Sequence, residues 1–166
     1  NIEKDKKYVG NIISKSFSIM LFISMPVTIM SAVFSKEIIL FISNQDFISG
    51  AKALTLLAFT LPFIFFDILF VEVFIANDER KLLVKIAIFV LLFNLLTNLF
   101  FITKYSFMGA AFTTFLSEII LCIINIYYTK KIVPYTFDWN GILKIILIAS
   151  ITFAVTALLK TTGIYF

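Results

Sequence analysis

Histidine is absent from this 166-residue chain, cysteine and tryptophan occur once each, proline three times and glycine five times. Each scarcity removes a class of chemistry. Without histidine there is no imidazole general acid or base, no histidine metal site and no Ser-His-Asp triad within the chain. A lone Cys122 forms neither an internal disulfide nor a CxxC pair, and its place inside an apolar run suits a small buried side chain. No GxGxxG or GxxxxGK[ST] phosphate loop appears among so few glycines. The chain reads as no enzyme, with no cofactor and no metal site; any catalysis would have to rest on carboxylates alone.

What fills the chain is apolar. Hydrophobic residues make up 61% of it, with a mean hydropathy of +1.04, against roughly 45–50% apolar residues in an ordinary soluble domain. Five runs carry this excess, over about 16–34, 53–76, 82–102, 108–128 and 142–159. A hydrocarbon layer about 30 Å thick takes about 20 helical residues to cross, and a helix satisfies its own backbone there. The expected fold is therefore all-α, a polytopic transmembrane bundle of about five spans in the cell (inner or plasma) membrane. Tyr8, Tyr105, Tyr127, Tyr128, Tyr135, Trp139 and Tyr165 fall at or beyond run ends, where amphipathic rings meet headgroups.

Charge sets the expected orientation. Lys4, Lys6, Lys7, Lys15, Arg80, Lys81, Lys85, Lys130, Lys131 and Lys144 fall on one side of the five spans, and Lys36, Lys52, Lys104 and Lys160 on the other. By the positive-inside bias the N-terminus is cytoplasmic. The net charge of +4 then follows from topology, with membrane lipids and no nucleic acid as partners. Residues 1–15 read as a cytoplasmic loop or surface helix, 16–129 as spans, 130–141 as a second cytoplasmic loop, and 142–166 as a further span with its outer end. A start at Asn1 and an end just after the fifth run read as an excerpt of a longer polypeptide.

Ionisable groups inside spans are costly and mark function or pairing. Asp67 and Glu72 lie in the second run and Glu118 in the fourth. Folding the second and third runs about Asn77–Arg80 puts Glu72 and Lys85 at similar depth, so an ion pair is expected; the alternative is that Lys85 snorkels to headgroups and Glu72 reaches water alone. Asp67 follows Pro62 by five residues, and Pro26 interrupts the first run. Both prolines are candidate hinges, and Asp67 is either a cation or proton site or a hydrogen-bonded acid at a kink. Gly109, Thr113 and Ser117 form a small-residue ridge at four-residue spacing. Thr114, Glu118 and Asn125 make a polar stripe, and Asn94, Thr97 and Asn98 a matching surface on the third run. These faces serve either helix packing or a substrate path.

Residues 54–128, with Lys81, Lys85, Asn94, Asn98, the Lys104-Tyr105 turn, Gly109-Ala110-Ala111 and Ser117-Glu118 in order, resemble the C-terminal lobe of polysaccharide flippases. Those proteins form the oligosaccharidyl-lipid branch of the multidrug/polysaccharide export superfamily, and residues 15–29 with Pro26 are similar to the family's preceding span. The chain departs from the pattern at residues 76–80, at Thr103, at Ser106 and at 43–46, where glycine or proline is usual. The resemblance implies spans nine to thirteen of a two-lobed transporter of twelve to fourteen helices. Its cargo would be an oligosaccharide on a polyprenyl pyrophosphate, flipped outward by alternating access, with H+ or Na+ as the possible coupling ion. It also implies the missing first lobe as a partner, Asp67 and Glu118 as cavity or coupling groups, and Arg80, Lys81 and Lys85 as headgroup attractors. The alternatives are a cation-coupled drug or metabolite antiporter of the same superfamily and a membrane-embedded glycan-processing enzyme.

Overall fold

In the computed structural model the described residues are 2–162, with side chains from residue 7 onward. The side chains of Lys4 and Lys6, and Tyr165, lie outside them. Six α-helices and one 3-10 turn follow one another: α1 (Ile2–Val33), α2 (Ser35–Ile42), the 3-10 turn Gln45–Gly50, α3 (Ala51–Ala58), α4 (Leu61–Ala76), α5 (Arg80–Ile132) and α6 (Trp139–Thr161). Every element assigned among the described residues is helical, as the apolar runs require.

Three helices are long and apolar enough to cross a membrane: α1 from Lys7, α5 and α6. The pair Gln45–Ala58 and Leu61–Ala76, bent by 43°, makes a fourth when counted as one span. The 53 residues of α5 would reach about 80 Å if straight. They do not run straight: Ser106 leaves helical geometry at φ 53°, ψ −137°, and the two arms, 80–105 and 107–132, fold back on each other. Asn94 of the first arm donates to Ser117 of the second at 2.9 Å, and four residues nearer the turn Thr113 donates to Asn98. Two antiparallel arms make the count five.

The ends of the spans sort by charge. At one end the carbonyl of Pro134 closes on Gly10 of α1, where a β-carbon would not fit, and Lys85 shares a cavity with Tyr128. At the other end Lys160 of α6 meets Glu37 of α2 at 2.8 Å and also donates to the carbonyl of Val33 at 2.5 Å. The two ends of α5, bearing Arg80, Lys81, Lys130 and Lys131, thus share the end where α1 begins.

The core forms where α1, α4 and the second arm of α5 meet. Phe17 stacks on Phe66 at 3.8 Å between ring centres, Phe70 and Phe74 are fully buried, and Cys122 closes the layer from α5. Full burial of each such ring stabilises by about 1.5–3 kcal/mol where water is the alternative. Elsewhere large side chains such as Leu91, Leu95 and Leu99 face outward, as lipid-facing surfaces do.

Several boundaries differ from expectation. The leading segment is helical and not a loop, because α1 is continuous from Ile2 through Pro26. The loop expected at 130–141 shrinks to 133–138, since α5 reaches Ile132 and Asp138 caps α6 by accepting from the Gly141 N–H at 3.1 Å. The second run is broken. Phe59 and Thr60 take 3-10 bonds to Leu56 and Leu57, and Pro62 enters α4 in its first turn, where its missing N–H costs nothing.

Candidate functional site

Asp67 sits half-buried on α4, about two turns after the break at Thr60. Its carboxylate accepts a 2.5 Å hydrogen bond from the side-chain amide of Asn125 on the second arm of α5, 58 residues away. The pair closes one end of a cavity of about 310 Å³ between α4 and both arms of α5. The other walls are apolar: Val71, Phe74, Leu83, Ile86, Ala87, Val90 and Leu121. A carboxylate in such a place has lost much of its hydration, so its charge must be matched by a proton, a cation or donors. Asn125 is a neutral donor, and the ion pair found among the described residues lies elsewhere, at Lys160 and Glu37.

Glu118 lies half-buried two turns before Asn125 on the same stripe of α5, close enough to Asp67 for the two carboxyls to interact electrostatically. Cys122 stands between Glu118 and Asn125 on that stripe and is buried. Thr114 continues the stripe one turn toward Ser106 and is partly exposed. The structure therefore gathers Asp67, Glu118 and Asn125 into one polar seam, while Thr114 lies at its edge.

Asn94 and Asn98 are engaged differently. Asn98 donates to Asn94 at 2.8 Å, Asn94 donates to Ser117, Thr113 donates to Asn98, and Ser117 donates to the carbonyl of Thr113 at 2.8 Å. Gly109 completes the contact by sitting on the carbonyl of Phe101, where any β-carbon would collide. This ladder joins the two arms. It consumes the polar groups of Asn94 and Asn98 in helix packing, as interhelical amides do in lipid.

The expected Glu72–Lys85 ion pair is not formed. Equal depth fixes position along two helices, but not rotation about them. The face of α4 turned toward α5 carries Asp67, Val71 and Phe74, so Glu72, one residue round, is exposed. Lys85 instead lines a second cavity with Ile86, Phe89, Ile124 and Tyr128. Arg80 and Lys81 are exposed at the hairpin end.

Sequence reasoning did not foresee the partnership of Asp67 with Asn125, nor the burial of Tyr135. The loop after α5 folds back so that Phe137 packs edge-on to Phe17 at 4.8 Å, carrying Tyr135 into the core at 8% exposure. Tyr135 does lie beyond the end of α5, as expected, but its ring packs against protein. The signal available was the apolar Ile132-Val133 ahead of Pro134, which draws the loop inward.

Comparison with known proteins fits this architecture. An uncharacterized membrane protein of Methanocaldococcus jannaschii is 29% identical over 132 residues, covering 80% of this chain and 26% of that protein. The chain thus spans about a quarter of the length of that curated relative. No solved structure matches. The family described as "Lipid II flippase MurJ" matches residues 2–165, within the same superfamily as the flippases that residues 54–128 resemble. This multi-pass membrane chain belongs to the MurJ lipid II flippase family.

Proposed function

We propose that the complete protein moves a polyprenyl-pyrophosphate-linked saccharide from the cytoplasmic to the outer leaflet of the cell membrane by alternating access. This chain supplies most of the helices of its second lobe. The observation that carries the reading is the family match along residues 2–165. Members of that family are transporters of a lipid-linked saccharide, not enzymes. Repeat-built transporters work by rocking of packed bundles around a midplane site, and a stiff α5 hairpin beside a span broken at Thr60 supports that mode of motion.

The polar seam is the part of this chain suited to the task. Asp67, Glu118 and Asn125, with Thr114 at the edge, offer the cavity a polar strip and a place for H+ or Na+. Arg80, Lys81 and Lys85 at the hairpin end would draw anionic headgroups at about 1 kcal/mol each. With the N-terminus cytoplasmic, these cations stand where a pyrophosphate carrier is loaded. The cargo class extends to repeat units for cell-surface polysaccharide, as the resemblance of residues 54–128 suggests.

The test is genetic replacement. The full-length gene, expressed in cells depleted of their own lipid-linked saccharide flippase, is expected to restore growth and to clear lipid-linked precursor from the cytoplasmic leaflet. Persistent accumulation of the precursor despite membrane insertion of the protein would sink the reading.

A further inference from the structure

The two arms of α5 are joined unevenly. Near the turn at Ser106 the Gly109 contact and the bonds of Thr113 to Asn98 and of Asn94 to Ser117 hold them together. From Asn94 to the far end no hydrogen bond links one arm to the other among the described residues, and two cavities open between them with Ile86 as their shared wall. One is the Asp67 cavity, walled on one side by α4. The other, of about 300 Å³, is lined by Leu82, Lys85, Ile86, Phe89, Ile124 and Tyr128 and takes no wall from α4. Lys85 and Phe89 are exposed, as are their neighbours Val84 and Ile88, so this cleft belongs to the lipid-facing surface of the hairpin.

The cleft has a charged mouth and an apolar floor. Lys85 lies five residues inside the start of α5 and Tyr128 four inside its end, about 6–8 Å along the arms, which is the depth at which headgroups give way to hydrocarbon. Lys85 makes no hydrogen bond, ion pair or ring contact among the described residues. Lys81 stands one turn nearer water on the same helix face, and the ammonium of Lys131 lies over the Tyr127 ring at 4.2 Å and the Tyr128 ring at 5.8 Å. No carboxylate lines the cavity to match these cations. Deeper in, Ile86, Phe89 and Ile124 present only hydrocarbon. Cations at headgroup depth above an apolar slot fit an anionic head on a hydrocarbon chain, and lipid is what covers this face.

We propose that the cleft between the arms of α5 is a binding site for one anionic glycerophospholipid of the bilayer, its phosphate at Lys85 and Tyr128 and an acyl chain along Ile86, Phe89 and Ile124. The Tyr128 O–H donates to a phosphate oxygen, while Lys85, Lys81 and Lys131 supply the charge. This goes beyond the attraction of headgroups assigned to Lys85 above. Attraction is a diffuse field at the hairpin end, whereas a site selects one lipid and holds it with or without cargo. A chain in the cleft keeps the arms apart where no bond joins them, and Ile86 carries that spacing to the Asp67 cavity on its other side. The bound lipid thereby sets the width of the cavity beside the polar seam.

The experiment is native mass spectrometry of the full-length protein released from detergent, titrated with phosphatidylglycerol and, separately, with phosphatidylcholine. The wild type is expected to retain one phosphatidylglycerol at least about tenfold more tightly than phosphatidylcholine, a difference of about 1.4 kcal/mol. Lys85→Gln should remove most of that preference, and Ile124→Trp, which fills the cleft and leaves every cation in place, should weaken both lipids. Lys144→Gln takes a charge from α6, outside the cleft, and should change neither. Equal retention of the two lipids by the wild type overturns the proposal, as does wild-type binding in Lys85→Gln or in Ile124→Trp. A loss in Lys144→Gln as large as in Lys85→Gln would also overturn it, by reducing the site to surface charge. Displacement of phosphatidylglycerol by an equimolar polyprenyl phosphate would give the cleft to the cargo carrier and sink it too. Should Ile124→Trp fail to fold, the comparison of Lys85→Gln with Lys144→Gln decides, since both lysines are exposed. No transport is measured, so failed genetic replacement would leave a positive titration standing, and a failed titration would leave the transporter reading standing.

Discussion

Asn94 and Ser117 are 23 residues apart in sequence and 2.9 Å apart in space, and that bond fixes how α5 works. Together with the Thr113–Asn98 bond and the contact of Gly109 on the Phe101 carbonyl, it closes two spans into one rigid hairpin. Gly109→Ala should therefore push the arms apart near their turn. A loss of about 1–3 kcal/mol is expected, typical of overpacking a fitted contact. Thermal unfolding of the detergent-solubilised full-length protein would read it, and an unchanged midpoint would mean that the arms part freely at Phe101.

The two turns of this region carry the opposite prediction. Among the described residues Asp78 (φ 59°) and Ser106 (φ 53°) are the non-glycine residues at positive φ. At Asp78 the turn is a helix C-cap in which the Glu79 N–H reaches the Phe74 carbonyl at 2.8 Å and the Asp78 N–H reaches Ile75 at 3.1 Å. Glycine takes this left-handed place without a β-carbon penalty of about 1–2 kcal/mol. Asp78→Gly and Ser106→Gly should each raise the unfolding midpoint; Ser106→Ala, which keeps the β-carbon and loses the polar side chain, should lower it.

Much of this fold was legible. Five runs of the right length gave five spans, and loop charges gave their sorting by end, because a bilayer leaves a chain so few ways to satisfy its backbone. The tightness of the α5 turn was not legible, since a serine at positive φ leaves no mark in sequence where a glycine would. The break at Thr60 was half-legible: Pro62 announced an interruption, but the 3-10 turns before it follow from packing against α1 and α2, where Thr55 donates to Ser35 at 2.8 Å. The site was legible in its members more than in its pairings. Asp67, Glu118 and Asn125 stood out as costly polar residues in lipid, yet the rotation of α4, which joins Asp67 to Asn125 and turns Glu72 outward, comes from Phe66, Phe70 and Phe74 seeking the core.

The Lys160–Glu37 contact predicts a pH effect at the other end. The hydrogen bond from Lys160 holds the Glu37 carboxyl below its ordinary range. A carboxyl whose folded pKa is depressed adds stability above its unfolded pKa, ordinarily near 4.5, and loses that stability as pH falls through the lowered value. Both groups are partly exposed, so about 1 kcal/mol is the ceiling and salt should erode it. Glu37→Gln should remove that contribution at neutral pH, a loss of at most about 1 kcal/mol, and flatten the acid limb so that its stability converges on that of the native protein below about pH 4.5. Lys160→Met should cost more, because it also frees the Val33 carbonyl that Lys160 caps.

Orientation is open to direct labelling. Cys122 is buried, so in a Cys122→Ala background single cysteines at exposed Asn77 and Asn44 report the two ends. In intact cells an impermeant thiol reagent should label Asn44→Cys and spare Asn77→Cys until the membrane is opened. The reverse pattern would turn the bundle over and move Arg80 and Lys81 away from the leaflet where a carrier is loaded.

Glu118 gives the sharpest test of the seam as transport machinery. It is half-buried, it interacts with Asp67, and no hydrogen bond holds it among the described residues. A carboxyl kept in the hydrocarbon zone without a structural partner costs energy that packing alone does not return. Glu118→Gln keeps shape and polarity and removes only the ability to ionise. If the charge serves transport, this variant of the full-length protein should reach the membrane at wild-type level and unfold at the wild-type midpoint. It should still clear precursor at least about tenfold more slowly, the rate cost of about 1.4 kcal/mol. Glu118→Asp, which restores the charge one methylene short, should recover part of that loss. Wild-type clearance by Glu118→Gln would remove Glu118 from the mechanism and leave Asp67 as the acid of the seam.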